Sequence, residues 1–296
     1  MVMGATVGLL ATALAAALSG PIPLAGAQLD CRLTAEKTTV MVAEPVWLRL
    51  SCRNTGEKPV DLNFATRGVL AWRTSPQLGP SPCHDDRPVD DHQVEVPPWH
   101  VAIPAGGTKT FRLLLNRWLR IQQPGVVRVA LVSCTEDAYP LVRSGNLTVW
   151  SSPKPQERFL SNEVGLEVVP TDEACLGAIC EVLTQQAIAA RHTDDGLQAA
   201  EALSWIDLPL AEPSLERLLP LDSLGAALAA NGLARIGNPE AVRALILAFD
   251  QQSNPWTRMA IKAWLRALNP ALKDPELRKR LELILRHEAV VLAEPN

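Results

Sequence analysis

The chain has 296 residues, too many for one small domain and suited to two. It is 47% hydrophobic and 20% charged, a balance that builds apolar cores and excludes an intrinsically disordered chain. A formal net charge of −4 offers no electrostatic basis for binding nucleic acid or an anionic membrane surface.

The first feature along the chain is an uncharged apolar run, Val7–Leu18, broken by Gly20 and Pro21. Ala25-Gly26-Ala27 then supplies the small residues a signal peptidase needs. The run is shorter than the roughly 20 apolar residues that span a bilayer. No Lys or Arg precedes it, so a buried helix or a retained anchor stands as the alternative. The expectation is a signal peptide over residues 1–27, cleaved after Ala27, and a periplasmic or secreted protein. Leu24-Ala25-Gly26-Ala27 resembles a bacterial lipobox with Ala in place of the lipidated Cys, and Cys31 follows four residues too late. No stable membrane anchor is therefore expected after cleavage.

Six cysteines fit export, because disulfides persist in oxidising compartments. Cys31, Cys52, Cys83 and Cys134 fall in the first half, and Cys175 and Cys180 in the second. Pairing within each half is expected, as Cys31–Cys52 and Cys83–Cys134. Residues five apart in a regular helix lie about 8–9 Å apart, beyond the roughly 7 Å that a disulfide bridges. Cys175 and Cys180 pair only where the helix starts late or is distorted.

Residues 28–170 read as β structure. Val46, Leu48, Leu50 and Cys52 alternate with polar positions, and so do Val60, Leu62 and Phe64. Asn54-Thr55-Gly56 supplies a turn between these two runs. Phe111–Leu115, Val126–Val132 and the run holding Val164, Leu166 and Val168 complete the predicted strands. Short strands between Gly/Pro turns, with no helical period, indicate two packed sheets. The turns Glu44-Pro45-Val46, Ile103-Pro104-Ala105-Gly106, Pro124-Gly125-Val126 and Ser161-Asn162-Glu163 resemble those of immunoglobulin-like domains of bacterial exported proteins. The resemblance implies an architecture and carries over no functional residue.

Between Arg73 and His100 the chain turns rich in proline and acid, with Trp72 and Trp99 at its ends. It reads as a long insertion, with one short strand near Gln93–Val96. Its centre, Cys83-His84-Asp85-Asp86-Arg87-Pro88-Val89-Asp90-Asp91-His92, with Glu95 and His100 nearby, holds three of the five histidines. Imidazole and carboxylate are ligands for divalent metals. The spacing matches no EF-hand loop and no zinc-protease helix. A solvated acidic loop stapled by Cys83 is the plainer alternative, so no metal ligand is assigned here.

From Thr171 the texture is helical. Asp172 is a good cap for Cys175–Ala190, and Asp194-Asp195 open Leu197–Ile206. Ser214–Leu219, Ser223–Ile236, Pro239–Asp250, Pro255–Leu268 and Pro275–Ala289 follow. Val242, Leu245, Ile246 and Phe249 form an apolar stripe at i, i+3, i+4 and i+7. Leu228–Gly237 and Met259–Leu268 repeat at a period of about thirty-one residues, each followed by Asn-Pro, and Leu197–Ile206 lies a similar distance upstream. Such a period in Ala/Leu-rich helices marks a helical solenoid. The segment Leu233–Leu245 resembles short bacterial HEAT repeats, in which a Gly-Asn-Pro-Glu-Ala-Val turn joins antiparallel helices. About three units are expected over residues 171–296.

The expected whole is multidomain: a signal peptide (1–27), an all-β immunoglobulin-like sandwich (28–170) and an all-α HEAT-type solenoid (171–296). No nucleophile elbow and no phosphate-cradling loop occurs in the sequence, and no catalytic residue or cofactor is assigned. The expected function is non-enzymatic protein–protein interaction through the solenoid, with an unidentified protein partner and no nucleic acid. Two alternatives use the Trp72–His100 loop: a carbohydrate- or metal-dependent binding module, and an unfamiliar hydrolase acting through His84 and His92. On Pro255–Leu268, Arg258, Lys262 and Arg266 form a basic stripe at i, i+4 and i+8. Trp256 and Trp264 share that helix and suit either a recognition surface or core.

Overall fold

The computed structural model describes residues 29–63, 70–80, 100–134, 141–144, 147–150, 157–159, 161–221, 224–269 and 272–291. A β region comes first. Strands β1 (Leu29–Ala35), β2 (Thr39–Met41), β3 (Trp47–Asn54), β4 (Val60–Asn63), β5 (Leu70–Ser75) and β6 (Gly79–Pro80) precede β7 (His100–Ile103) and β8 (Thr108–Leu114). A short 3-10 turn, Leu115–Arg117, leads to β9 (Leu119–Arg120) and β10 (Gly125–Cys134). The region closes with β11 (Leu141–Ser144), β12 (Leu147–Trp150), β13 (Glu157–Phe159) and β14 (Val164–Val169).

One sheet is ordered β1-β3-β8 and is antiparallel throughout. A second is built on β10, which carries β5 along one edge and β13 and β14 in succession along the other, while β4-β7, β6-β9 and β11-β12 pair as separate two-stranded ladders. β2 closes the β10 sheet by pairing parallel to β14. Leu33, Leu48 and Leu50 from the first sheet and Val129, Leu131 and Leu166 from the second belong to one buried cluster. Period-two alternation accounts for this, since one face of each strand points inward. Val46, Leu48, Leu50 and Cys52 are all buried, the face expected of that run. Leu62 lies on the short strand β4, while Phe64 falls outside the described residues.

Side-chain amides bridge strand ends where the ladders stop. Asn162 accepts from the Leu33 amide and donates to the Leu33 carbonyl, completing β1 as a neighbouring strand would. Asn116 does the same between the Val46 amide and the Glu44 carbonyl. Fully buried Asn54 donates to the carbonyls of Lys58 and Ile103 and accepts from Gly56, which holds the turn after β3. Each bond satisfies a group whose burial without a partner would cost about 1–3 kcal/mol.

Cys31 and Cys52 face each other across β1 and β3 and form a disulfide. Cys134 ends β10, and Cys83 lies outside the described residues. The predicted insertion starts later than the sequence indicates. Trp72 sits within β5, paired opposite Leu131, and His100 opens β7 opposite Asn63. Leu70–Ser75 shows weak local alternation, and its strand conformation follows from the long β10 edge beside it. The proposed strand near Gln93–Val96 lies outside the described residues.

The helical region follows: α1 (Glu173–Ala189), α2 (Asp194–Ser204), α3 (Glu212–Glu216), α4 (Leu224–Ile236), α5 (Pro239–Gln251), α6 (Pro255–Leu268) and α7 (Pro275–Val291). Side-chain caps set most starts. Asp172 accepts from the amides of Ala174 and Cys175, Asn238 from Ala241, and Asn254 from Trp256 and Thr257. Pro239 and Pro255 occupy the first helical position, where the missing N–H would find no partner anyway. Gly237, at φ 64°, ends α4 in the left-handed conformation that glycine adopts without strain.

The two Asn-Pro pairs of the repeat play different roles. Asn238 caps α5, whereas Asn269 sits in helical geometry at the end of α6. Asp274, which accepts from the amides of Glu276 and Leu277, starts α7 instead. The helices stack in two layers. α2, α4 and α6 lie side by side in one, and against it pack α1 beside α3 and α5 beside α7. The central helix α4 is buried along nearly its whole length, which its Ala/Gly-rich sequence permits by letting neighbouring backbones approach.

Cys175 and Cys180 both lie inside α1, because Asp172 caps the helix before them. Both are free thiols, as their five-residue spacing in a regular helix requires. Burial pushes the Cys180 thiol up to about 11, which keeps it protonated and inert.

Candidate functional site

The β region and the helical region meet along one seam, formed by β8, the following 3-10 turn and β9 against α2 and the segment after it. Leu114 packs with Ala202 and Trp205, joined by Trp47 and Leu183. Met41 and Ala43 of the β region reach the helical core directly.

Three arginines of the β region bond across this seam in chain order. Arg112 lies 3.9 Å over the Trp47 ring, donates to both carboxylate oxygens of Glu36 at 2.9 and 2.8 Å, and reaches across to donate to Gln198 at 2.8 Å. The hydrogen bond from Arg112, aided by Arg49, holds the Glu36 carboxyl below its ordinary range. Arg117 donates to Glu201 at 3.0 Å. Burial raises the Glu201 carboxyl above its ordinary value, and the Arg117 charge only partly offsets that. Arg120 pairs with Asp207 at 3.5 Å. From the helical side, Arg235 makes a two-pronged contact with Asp207 at 2.8 and 2.9 Å and lies 3.7 Å over Trp205. A guanidinium suits both partners, being planar for stacking and forked for a carboxylate.

Two hollows flank the seam. The larger, about 430 Å³, is an open cleft walled by Trp47, Arg112, Leu183, Gln186 and Asp195. The smaller, about 190 Å³, lies beside Asn116, Arg120, Asp207 and Arg235. In the smaller hollow, Arg120 and Arg235 are both engaged by Asp207.

The candidate loop residues from Cys83 to Glu95, including His84 and His92, lie outside the described residues, as does Trp99. Trp72 packs against Trp118 with ring centroids 5.7 Å apart and joins the β core. Among the described residues no group of three or more His, Cys, Asp or Glu is placed to hold a metal ion, and no helix is long and apolar enough to cross a membrane.

The two tryptophans of α6 separate. Trp264 packs against the helical core, and Trp256 is 72% exposed. Of the basic stripe, Arg258 lies 4.5 Å over the Phe249 ring and Arg266 is exposed. The seam went unread in the sequence. Gln198 and Glu201 stand 86 and 84 residues from their arginines, and no local pattern links such partners.

No family model matches the chain, and no curated protein matches it. Among solved structures, it is similar to a CARDB domain of Pyrococcus furiosus in complex with di-metal ions, at 12% identity and TM-score 0.25, over 51% of this chain and 100% of that one. A β-glucosidase of Listeria innocua in complex with glucose matches at 14% identity and TM-score 0.24, over 48% of this chain and 16% of its own. The native conformation of E. coli alpha-2-macroglobulin matches at 11% identity and TM-score 0.26, over 87% of this chain and 22% of its own. Likenesses this slight carry no argument about fold or activity.

Proposed function

We propose that this is an exported, non-enzymatic binding protein that holds a protein partner through its helical region. In this reading, residues 28–170 form an immunoglobulin-like sandwich and residues 171–296 a HEAT-type solenoid, with the signal segment 1–27 removed. The periplasm or the outside of the cell is its place of work. The apolar run Val7–Leu18 and the Cys31–Cys52 disulfide support export.

One observation carries the binding role. The helices expose large apolar side chains on their outer faces: Val182 on α1, Leu247 on α5, Trp256 and Met259 on α6, and Leu283 on α7. Tryptophan and methionine are enriched at protein interfaces, and tryptophan is among the residues that dominate their energetics. Stacked helix layers also expose extended surfaces, which repeat proteins use for partners.

The test is retention of a partner on the immobilised chain from Gln28 onward, challenged with envelope extract of the source cells. A protein bound in fixed ratio is expected, and it should be lost when Leu247, Trp256 and Leu283 are together replaced by Asp. A chain that retains nothing, or that retains its partner equally well after the triple replacement, overturns the reading.

A further inference from the structure

The outer face of α6 has the pattern of a helix that packs against another helix. Trp256, Met259, Ala263 and Ala267 fall at i, i+3, i+7 and i+11, and all four are exposed. Residues at this spacing form one continuous stripe, the seam by which paired helices meet. The opposite face is already used, with Thr257, Ile261 and Leu265 buried against the rest of the array. The stripe grades from Trp and Met at the start to Ala at the end, so a partner helix gains apolar contact at one end and close backbone approach at the other.

Position in the fold explains why this face is open. The middle helix α4 has a neighbour on each side within its layer and is buried along its length. α6 is the last helix of that layer among the described residues, with α4 as its single neighbour there.

Charge selects the occupant. Exposed Arg266 flanks the apolar stripe, half-buried Lys262 lies one turn back on the same edge, Arg258 turns inward over Phe249, and Pro255–Leu268 contains no Asp or Glu. The chain as a whole carries 32 acidic residues against 28 basic ones, so this local balance runs opposite to the molecule's. A second copy docked about a two-fold axis would bring the basic stripe against itself, because such interfaces are self-complementary. Like charges across a contact are costly, whereas an acidic partner meets this flank with opposite charge. We propose that the outer face of α6 docks an acidic amphipathic helix of another protein. The inference rests on the helical region being a binding surface and names the chemistry of what it binds.

The probe is a fluorescein-labelled helical peptide of about 20 residues, with a Leu/Ala stripe at helical spacing and Glu on its flanks. Its control has Lys at every Glu position. Anisotropy titrations against the full chain should show saturable binding of the acidic peptide and none of the basic one. Binding should weaken as salt is raised, since exposed charges are screened. Trp256→Ala and Arg266→Glu should each weaken it at least about tenfold. Both side chains are exposed, and circular dichroism should show both variants folded as the parent.

Absence of saturable binding, or equal binding of both peptides, overturns the proposal. Acidic-peptide binding that neither substitution changes removes the assignment to α6 and leaves the broader binding role standing. A concentration-dependent dimer in sedimentation that Trp256→Ala abolishes would identify a second copy as the occupant and also overturn it. The partner-retention experiment reads the broader role separately, so the two failures are distinguishable.

Discussion

Gly232 lies where α4 crosses the end of α2 and the short helix α3. A Cβ placed there would stand 2.9 Å from the Ser204 Cα and from both Leu215 methyls. Backbone on one side cannot move away, so Gly232→Ala should lower stability by about 1–3 kcal/mol despite alanine's better helix propensity. Gly177, in α1, has open space instead, with nothing within 4 Å of where a Cβ would stand. Gly177→Ala should therefore raise stability by about 0.5–1 kcal/mol. Urea unfolding of the two variants checks the opposite signs. Glu201 behaves differently, because burial raises its carboxyl above the ordinary 4.5. The folded state then holds the proton more tightly than the unfolded one. Its contribution is full below about 4.5 and is lost as pH rises through the raised value. Glu201→Gln should flatten that fall, and Arg117→Ala should steepen it by leaving the carboxylate without this partner. Thermal melts across the carboxylate range decide both; curves parallel to the parent would contradict the burial argument.

The helices illustrate how far a repeat can be read locally. Helix starts are written in short signals: Asp172, Asn238-Pro239, Asn254-Pro255 and Asp274-Pro275 each place a capping oxygen and, in three cases, a proline at the first position. A cap acts over one turn, so a handful of residues suffices to show it. Asn269-Pro270 reads the same and does something else. Asn269 closes α6, and its side-chain oxygen is buried without a hydrogen-bond partner. Asn238→Ala should cost about 1 kcal/mol through loss of the cap, and Asn269→Ala distinctly less. Equal losses in chemical denaturation would show that both asparagines cap. Strands were legible where both inward and outward positions follow the pleat, as in β3. They were not legible in β5, β7 or β13, whose conformation depends on distant partners.

At the scale of the molecule, the seam packs and bonds the β region against the helical region, which should couple their unfolding. Trp205 is its keystone, buried between Leu114, Ala202 and the Arg235 guanidinium. A single unfolding transition is expected by calorimetry. Trp205→Ala should cost about 3–5 kcal/mol and separate the transition into two. Two transitions in the parent chain would show that the regions are energetically independent. The sequence alone determined the order of the two regions, a run of strands and then capped helices, the latter at a period of about thirty-one residues. It also picked out Cys31 with Cys52, and the basic stripe beside Trp256 and Trp264. Those features rest on periodicity, turn chemistry and caps, which act over a few residues to a few tens of residues. Only the tertiary structure decided that Arg112, Arg117 and Arg120 bind across to Gln198, Glu201 and Asp207, that Trp264 is packed inward while Trp256 faces outward, and that α6, among the described residues, ends its layer with a face left open. Long-range contacts such as these depend on how two separately patterned surfaces come together, and no local spacing encodes that encounter.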